Sequence, residues 1–343
     1  MEILTPQVSV LLPVREWRDT TLQAIQSILT QTLVSLEILL IGQEDTGELA
    51  DRLPEDPRLR LLSRQRPGIV GALNTGLAQA RAPFIARMDD DDIAYPARLA
   101  SQLDFLRGDS GSRMCGTCIR IIDRHGRTDT LGHGNRRYQQ WLNGLTTDDE
   151  IRSSRYIECP LPHPTLMAHR DVWQRLAGYR ETDHPEDYDL VLRAMLMGIT
   201  LGKPEAVLQD WREHDDRLTH RDRRYSREAF ARCRAWAAAQ PLSGLGLAEG
   251  RSVWLCGAGR NARFWHDALT ALGVAVQGFV DVHRNGPNRS KRGKAVIACQ
   301  ELPLARKDAL VISTVTQPEA RRQMLRFFDR QAWRDGRDFI VGG

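Results

Sequence analysis

Phe84-Ile85-Ala86-Arg87-Met88 runs straight into Asp89-Asp90-Asp91-Asp92, and that junction constrains the chain more than any other stretch. The apolar run is short enough for a buried strand, whereas four successive carboxylates repel one another and cannot be buried unpaired. They must face water or surround a cation. In an open α/β sheet, ligands bind at the carboxyl ends of the strands. Clustered hard oxygen donors suit Mg2+ or Mn2+, ions that commonly arrive bridged to phosphate oxygens. A solvated acidic loop leading to the turn at Pro96 satisfies the same residues, so their neighbours decide between the two readings.

Those neighbours alternate between two periodicities. Val8 to Val14 is a compact apolar run closed by Pro13, a first buried strand. Leu22, Ile25, Ile28 and Leu29 fall on one helical face, with Asp19-Thr20 as its cap. Leu36 to Ile41 is a second strand ended by Gly42, Leu49 and Leu53 mark a short helix, and Leu59 to Leu62 a third strand. Ile69, Ala72, Leu73, Gly76, Leu77 and Ala80 repeat at helical spacing before the fourth strand, Phe84 to Met88. Strand alternating with helix predicts a mostly parallel sheet covered on both faces, an α/β nucleotide-binding half-domain. Met114 to Ile122 reads as one further strand. It carries Cys115 and Cys118, which we read as core, because a zinc site needs two more ligands and none follows nearby.

Composition removes several function classes. A length of 343 residues allows about two domains. The net charge is only +4, and no basic block with interleaved aromatics occurs, so nucleic acid is not an expected partner. No segment approaches the ~20 apolar residues of a membrane span. Met1 to Pro6 has neither a basic head nor an apolar core, and the cysteines are scattered through apolar surroundings, so the expected location is cytoplasmic.

Five stretches then occur in a telling order: Val8-Ser-Val-Leu-Leu-Pro-Val14, Ser27-Ile-Leu-Thr-Gln-Thr32, Glu37-Ile38, Gly71-Ala-Leu-Asn-Thr-Gly-Leu77 and Ala86-Arg-Met-Asp-Asp-Asp-Asp-Ile93. Together they resemble the family 2 glycosyltransferases of the GT-A fold, over about residues 6 to 225. The resemblance implies that Asp89-Asp90-Asp91 is the DXD motif, with Asp89 near the nucleotide ribose and Asp91 on a divalent metal, Mn2+ or Mg2+. Asp89 and His214 complete the implied metal set. Pro13, Glu16, Gln43 and Asn74 stand at donor-side positions. Two departures occur. The family usually has two Asp after its second strand, where this chain has Gly42-Gln43, and Asn is common where Glu16 stands. Gln43 can still hydrogen-bond a pyrimidine edge without carrying charge. Asp45 lies close enough in sequence to substitute.

Further on come Cys159-Pro-Leu-Pro-His163-Pro, Gly178-Tyr-Arg180 and Glu186-Asp187-Tyr-Asp189. Pro185 followed by two acids is a helix-start signature, with carboxylates favoured by the helix dipole, and Gly198 closes the helix. In register with the upstream motifs, Glu186-Asp187 also matches the family's ED motif. Transfer with inversion needs one base for the acceptor hydroxyl, and a metal-neutralised diphosphate leaves without a protonated acid. The resemblance makes Asp187 that base and Glu186 its support. Val207-Leu-Gln-Asp-Trp211-Arg-Glu-His214 resembles the family's late strand, with His214 toward the diphosphate or metal and Trp211 on the acceptor side. His163 matches an element near the acceptor pocket, or serves as a loop anchor beside its prolines. Residues 124–160 are the expected acceptor-facing loops, and 221–239 an Arg-rich helix.

Gln240 to Gly250 has linker composition, after which a new cycle opens: strand Ser252 to Cys256, Gly257-Ala-Gly259-Arg-Asn-Ala262, a helix to Leu272, and strand Val274 to Val280 ending at Asp281. This is the dinucleotide fingerprint in strand-turn-helix context, with Gly257, Gly259 and Asp281 as candidate nucleotide contacts. The pattern is similar to the small nucleotide-sugar-binding domain of bacterial sugar acyltransferases. A packing module whose glycines only serve the turn is the equal alternative. The expected organisation is a GT-A domain over 1–239, a linker over 240–250 and a small Rossmann-like α/β domain over 251–343. The expected function is metal-assisted, inverting transfer from UDP- or another nucleotide-sugar to a glycan or lipid-linked acceptor, with peripheral membrane contact in the lipid case. Bacterial surface polysaccharide assembly is the implied setting. Two other classes fit less of the chain: a nucleotide-sugar-binding regulator with a decayed site, and an NAD(P)-linked sugar oxidoreductase.

Overall fold

A computed structural model describes residues 5–43, 47–108, 113–281 and 290–343. The chain divides into two compact units that interleave in sequence. One comprises 1–151, 160–181 and 198–217, and the other 152–159, 182–197 and 218–343.

The first unit is built on a seven-stranded sheet. Its leading strands are β1 (Val8–Pro13), β2 (Leu36–Gly42), β3 (Leu59–Ser63) and β4 (Phe84–Arg87). β5 (Ile93–Ala94), β6 (Arg113–Cys115), β7 (Cys118–Ile122), β8 (Met167–His169), β9 (Thr200–Gly202) and β10 (Val207–Arg212) follow. The sheet order is β3-β2-β1-β4-β8-β6-β9. β1 to β4 are mutually parallel, as alternation with helices predicts, and β8 joins β4 and β6 antiparallel. β1 and β2 are buried along their whole length, which is why they read as continuous apolar runs rather than alternating ones. Helix Asp19–Leu29 packs Ala24, Ile25 and Ile28 into this core. Its cap differs from expectation: the Thr21 hydroxyl, not Asp19-Thr20, accepts from the Arg18 N–H at 3.2 Å.

The expected single strand from Met114 to Ile122 is broken. β6 belongs to the large sheet and β7 to a separate three-stranded sheet, β5-β10-β7. The break is at Gly116-Thr117, whose N–H groups donate to the Gly202 carbonyl (3.1 Å) and the Thr165 hydroxyl (3.1 Å). Both halves are apolar, so periodicity alone could not reveal it. The consequence is functional: the small sheet lays β10 antiparallel to β5, immediately after the acidic run.

The second unit contains helix Glu186–Leu196 and a six-stranded sheet, with β11 (Val253–Cys256), β12 (Val276–Asp281), β13 (Ser290–Lys291), β14 (Lys294–Ala298), β15 (Leu310–Ser313) and β16 (Phe339–Val341) in the order β13-β14-β12-β11-β15-β16. All pairs are parallel except β13 with β14. The expected helix over 221–239 is shorter, Arg227–Ala238, because the Ser226 hydroxyl caps it by accepting from the Ala229 N–H at 3.2 Å. This helix packs on helix Arg260–Ala271. Among the described residues, no helix is long and apolar enough to cross a membrane.

Candidate active site

β4 delivers the acidic run to the carboxyl end of the large sheet, and each of its four carboxylates has a different environment. Asp89 is paired with Arg87 (Nη2 to Oδ1, 2.5 Å). Asp90 is half-buried, with a long contact from the Thr21 hydroxyl at 3.5 Å. Burial, followed by the charges of Asp91 and Asp89, pushes Asp90 up to about 8. Asp91 Oδ2 lies 2.7 Å from His214 Nε2. Burial works against its charge, but the His214 hydrogen bond and the cations Arg217 and Arg212 outweigh it and hold Asp91 below the usual carboxylate range. Asp92 is fully buried, accepting from Gln209 Nε2 (2.7 Å) and the Arg212 N–H (2.9 Å).

One oxygen each from Asp89, Asp91 and Asp92 can lie within 4.8 Å of the others. This donor set fits a hard divalent cation. Asp92 has both oxygens engaged by β10, so Asp89 and Asp91 are the members with capacity to ligate. His214 contacts Asp91 through Nε2, while its Nδ1 accepts from the Asp216 N–H at 3.2 Å, so it braces Asp91 in this arrangement. β10 holds this arrangement: Arg212 Nε donates to the Asp91 carbonyl (2.7 Å) and its Nη1 to the Arg124 carbonyl (2.9 Å). Trp211, three residues before His214, lies in an apolar cluster with Ile119, Ile121 and Leu142, with the Arg217 guanidinium 4.3 Å from its ring.

The donor-side candidates occupy less committed or differently committed places. Pro13 ends β1 opposite Ile41. Glu16 is exposed and pairs with Arg18 at 3.4 Å. The Gln43 amide donates to the Arg15 carbonyl (2.7 Å), bracing the loops after β1 and β2 against each other. Both ends of the Asn74 amide are taken by the Tyr179 backbone, its Nδ2 donating to the carbonyl and its Oδ1 accepting from the N–H, each at 2.9 Å. Asn74 therefore anchors the Gly178-Tyr-Arg180 turn. Gly178 has φ +65°, and a Cβ there would lie 2.5 Å from Asn74 Oδ1, so glycine is required on both counts. Asp45 lies outside the described residues.

That turn sets Tyr179 against His163, with the hydroxyl 2.9 Å from Nε2. Burial, reinforced by the Arg87 charge, holds His163 well below its ordinary value, so it is a neutral imidazole. Arg87 and Tyr179 both lie inside quoted motifs, but the motif reading gives neither a role. A charged residue inside an apolar strand, two positions before a carboxylate, was the available signal for Arg87.

In the second unit, Glu186 and Asp187 open helix Glu186–Leu196 with Pro185 as N-cap. Glu186 is 2% exposed, and the Tyr225 hydroxyl lies 2.8 Å from each of its oxygens. Burial, then the charge of Asp187, pushes Glu186 up to about 7, with Tyr225 opposing. Asp187 is half-buried and its Oδ1 accepts from the Tyr188 N–H at 2.7 Å. Tyr225 sits in an Arg-rich stretch with no periodic signal, so no pattern pointed to it. Farther along, Gly257 follows β11 with φ +95°, and a Cβ there would lie 3.0 Å from the Thr314 hydroxyl. Gly259 caps helix Arg260–Ala271, Asp281 ends β12, and Lys291 Nζ donates to the Ala258 carbonyl over the glycine turn.

Comparison with known proteins adds three findings. Residues 9–172 match the family model for glycosyl transferase family 2. The O-antigen biosynthesis glycosyltransferase WbnJ of Escherichia coli is 29% identical over 196 residues, 55% of this chain and 71% of WbnJ. The bifunctional glycosyltransferase pgtA of Dictyostelium discoideum is 24% identical over 233 residues, 56% of this chain but only 30% of its own length. Among solved structures, S. aureus TarS in complex with UDP superposes with a TM-score of 0.50 at 13% identity, over 77% of this chain and 70% of that one, a likeness of fold.

Proposed function

Since the chain carries a family 2 glycosyltransferase domain of GT-A fold, we propose that it transfers a sugar with inversion, metal-assisted, from a nucleotide-sugar to a hydroxyl of a glycan or lipid-linked acceptor. The observation that carries this reading is the Asp91–His214 contact at 2.7 Å beside Asp89, at the carboxyl end of a central parallel strand. Asp187 takes the acceptor proton as the hydroxyl oxygen forms its bond to the anomeric carbon. The bond from that carbon to the diphosphate oxygen breaks, and the nucleoside diphosphate leaves. A divalent ion held by Asp89, Asp91 and His214 would neutralise charge on the diphosphate. Glu186, fixed by Tyr225, supports Asp187 from the preceding position. His163 and Trp211 belong to the acceptor side in this reading, and Pro13, Glu16, Gln43 and Asn74 frame the donor side as wall and brace. WbnJ's role in O-antigen biosynthesis supports a setting in cell-surface polysaccharide assembly, and a cytoplasmic location is part of this proposal.

The sheet β11 to β16 is proposed to be a Rossmann-like domain over 251–343, joined through 240–250, that takes a nucleotide or nucleotide-sugar at Gly257, Gly259 and Asp281. β12 and β15 flank β11 on opposite sides, which creates the strand-order reversal where such ligands bind.

One experiment tests both sites. Donor binding and hydrolysis are measured over a panel of nucleotide-sugars with Mn2+, Mg2+ or EDTA, beside Asp91→Ala and Asp281→Asn. Turnover of one donor that needs metal and disappears in Asp91→Ala supports the transferase. Binding that survives EDTA and Asp91→Ala but is lost in Asp281→Asn moves the ligand to the second sheet and refutes the assignment of the acidic cluster.

A further inference from the structure

Arg87 is the last residue of β4 and only 3% exposed, yet it is a full cation at the edge of the acidic run. Its Nη2 lies 2.5 Å from Asp89 Oδ1, while Nε and Nη1 are buried with no hydrogen-bond partner among the described residues. Its carbonyl is fixed by Arg98 Nη2 at 2.6 Å, and its N–H by the Leu166 carbonyl at 2.8 Å. The Arg87 main chain is therefore fixed on both sides, and among the described residues its guanidinium forms an ion pair with Asp89.

We propose that Arg87 is the resident counter-cation of Asp89, a positioning residue that keeps the acidic cluster weak for a divalent ion until a diphosphate arrives with it. The inference rests on reading Asp89 and Asp91 as the cation-holding pair. An ion entering that pair alone must displace Arg87 from Asp89 or accept its repulsion at short range in a partly desolvated site. A nucleoside diphosphate adds negative charge that offsets both cations, so ion and nucleotide strengthen each other, and by linkage the gain is reciprocal. The enzyme then holds its metal mainly as the metal–nucleotide complex.

Binding of Mn2+ to the full chain, followed by electron paramagnetic resonance with and without UDP or GDP, tests this without any turnover. Arg87→Met is expected to tighten Mn2+ alone by about tenfold or more and to shrink the nucleotide-induced gain. Arg87→Lys keeps the charge and stays close to wild type. In an Asp89→Asn background, Arg87→Met changes Mn2+ affinity little, because the pair it breaks is already gone. If Arg87→Met does not fold, Arg87→Gln reads the same quantity, since it keeps a donor for Asp89 and loses the charge. An unchanged or weaker Mn2+ affinity in a folded neutral variant, while wild type binds Mn2+ with nucleotide, overturns the role of Arg87 alone. No Mn2+ binding by wild type under either condition overturns the metal reading itself.

Discussion

Glu186 makes the stability of this chain depend on pH in the direction opposite to most carboxylates. It is 2% exposed, and burial followed by the Asp187 charge raises it from 4.5 to about 7. Between those two values the folded chain holds a proton that the unfolded chain has released. Stability is therefore greatest below about pH 4.5 as far as this group is concerned, and is lost as pH rises through about 7. At about 1.4 kcal/mol per pH unit, the full effect is roughly 3 kcal/mol. Glu186→Gln removes the ionisation and leaves an amide oxygen that still accepts from Tyr225. The variant is expected to match wild type within about 1 kcal/mol at pH near 5 and to exceed it by roughly 3 kcal/mol at pH near 8.5. Urea unfolding at both pH values, followed by circular dichroism, reads the difference directly. A wild-type-minus-variant difference that is the same at both pH values refutes the burial argument. Asp187→Asn, which removes the second-largest cause of the shift, narrows the window. Tyr225→Phe removes a donor to the carboxylate and widens it.

Other outcomes follow from single contacts. Under the proposed mechanism, Asp91→Ala should reduce metal-dependent transfer by about a hundredfold or more, checked by initial rates with saturating Mn2+, because it removes the proposed ligand oxygen and the His214 partner together. Gly278→Ala should destabilise the chain by roughly 1–3 kcal/mol, read by thermal melts, because the added Cβ would lie 2.5 Å from the Trp254 ring and 2.7 Å from the Ala295 carbonyl. Ser226→Ala should cost about 1 kcal/mol through the lost cap of helix Arg227–Ala238, by the same measurement. All six cysteines are buried thiols outside any disulfide, so a thiol reagent should label them slowly in the native chain and rapidly in urea.

The strands that position the site were legible because burial on both faces leaves an unbroken apolar run, as in Val8–Pro13 and Leu36–Gly42. The break at Gly116-Thr117 was not, since it depends on acceptors supplied by Thr165 and Gly202, far along the chain. The same limit applies at the site. Asp91 and His214 could be paired through motif order, but the competing use of Gln43 and Asn74 by backbone groups could not. An amide in sequence shows donors and acceptors without showing which partners reach them first. Tyr225 and Tyr179 were hidden for this reason too, because each acquires its meaning from one partner that only tertiary structure supplies.

Four adjacent aspartates looked interchangeable as a string, and folding makes them unlike. Asp92 is drawn inward, satisfied by Gln209 and the Arg212 backbone, and burial together with its acidic neighbours raises it well above the usual carboxylate range. It ties the run to β10. That tie also fixes Arg212, whose side chain holds the Asp91 carbonyl, and it sets His214 two residues later within 2.7 Å of Asp91. Asp91 thus owes its geometry to a carboxylate that is itself occupied. Replacing Asp92 by Leu would keep roughly its size but remove both acceptors, leaving the Arg212 N–H and the Gln209 amide to lose their Asp92 partner. Each buried donor orphaned in this way costs about 1–3 kcal/mol, and the loss would appear as weaker Mn2+ binding at Asp91 rather than as a missing ligand. Unaltered Mn2+ affinity in a folded Asp92→Leu chain would show that β10 does not set the cluster.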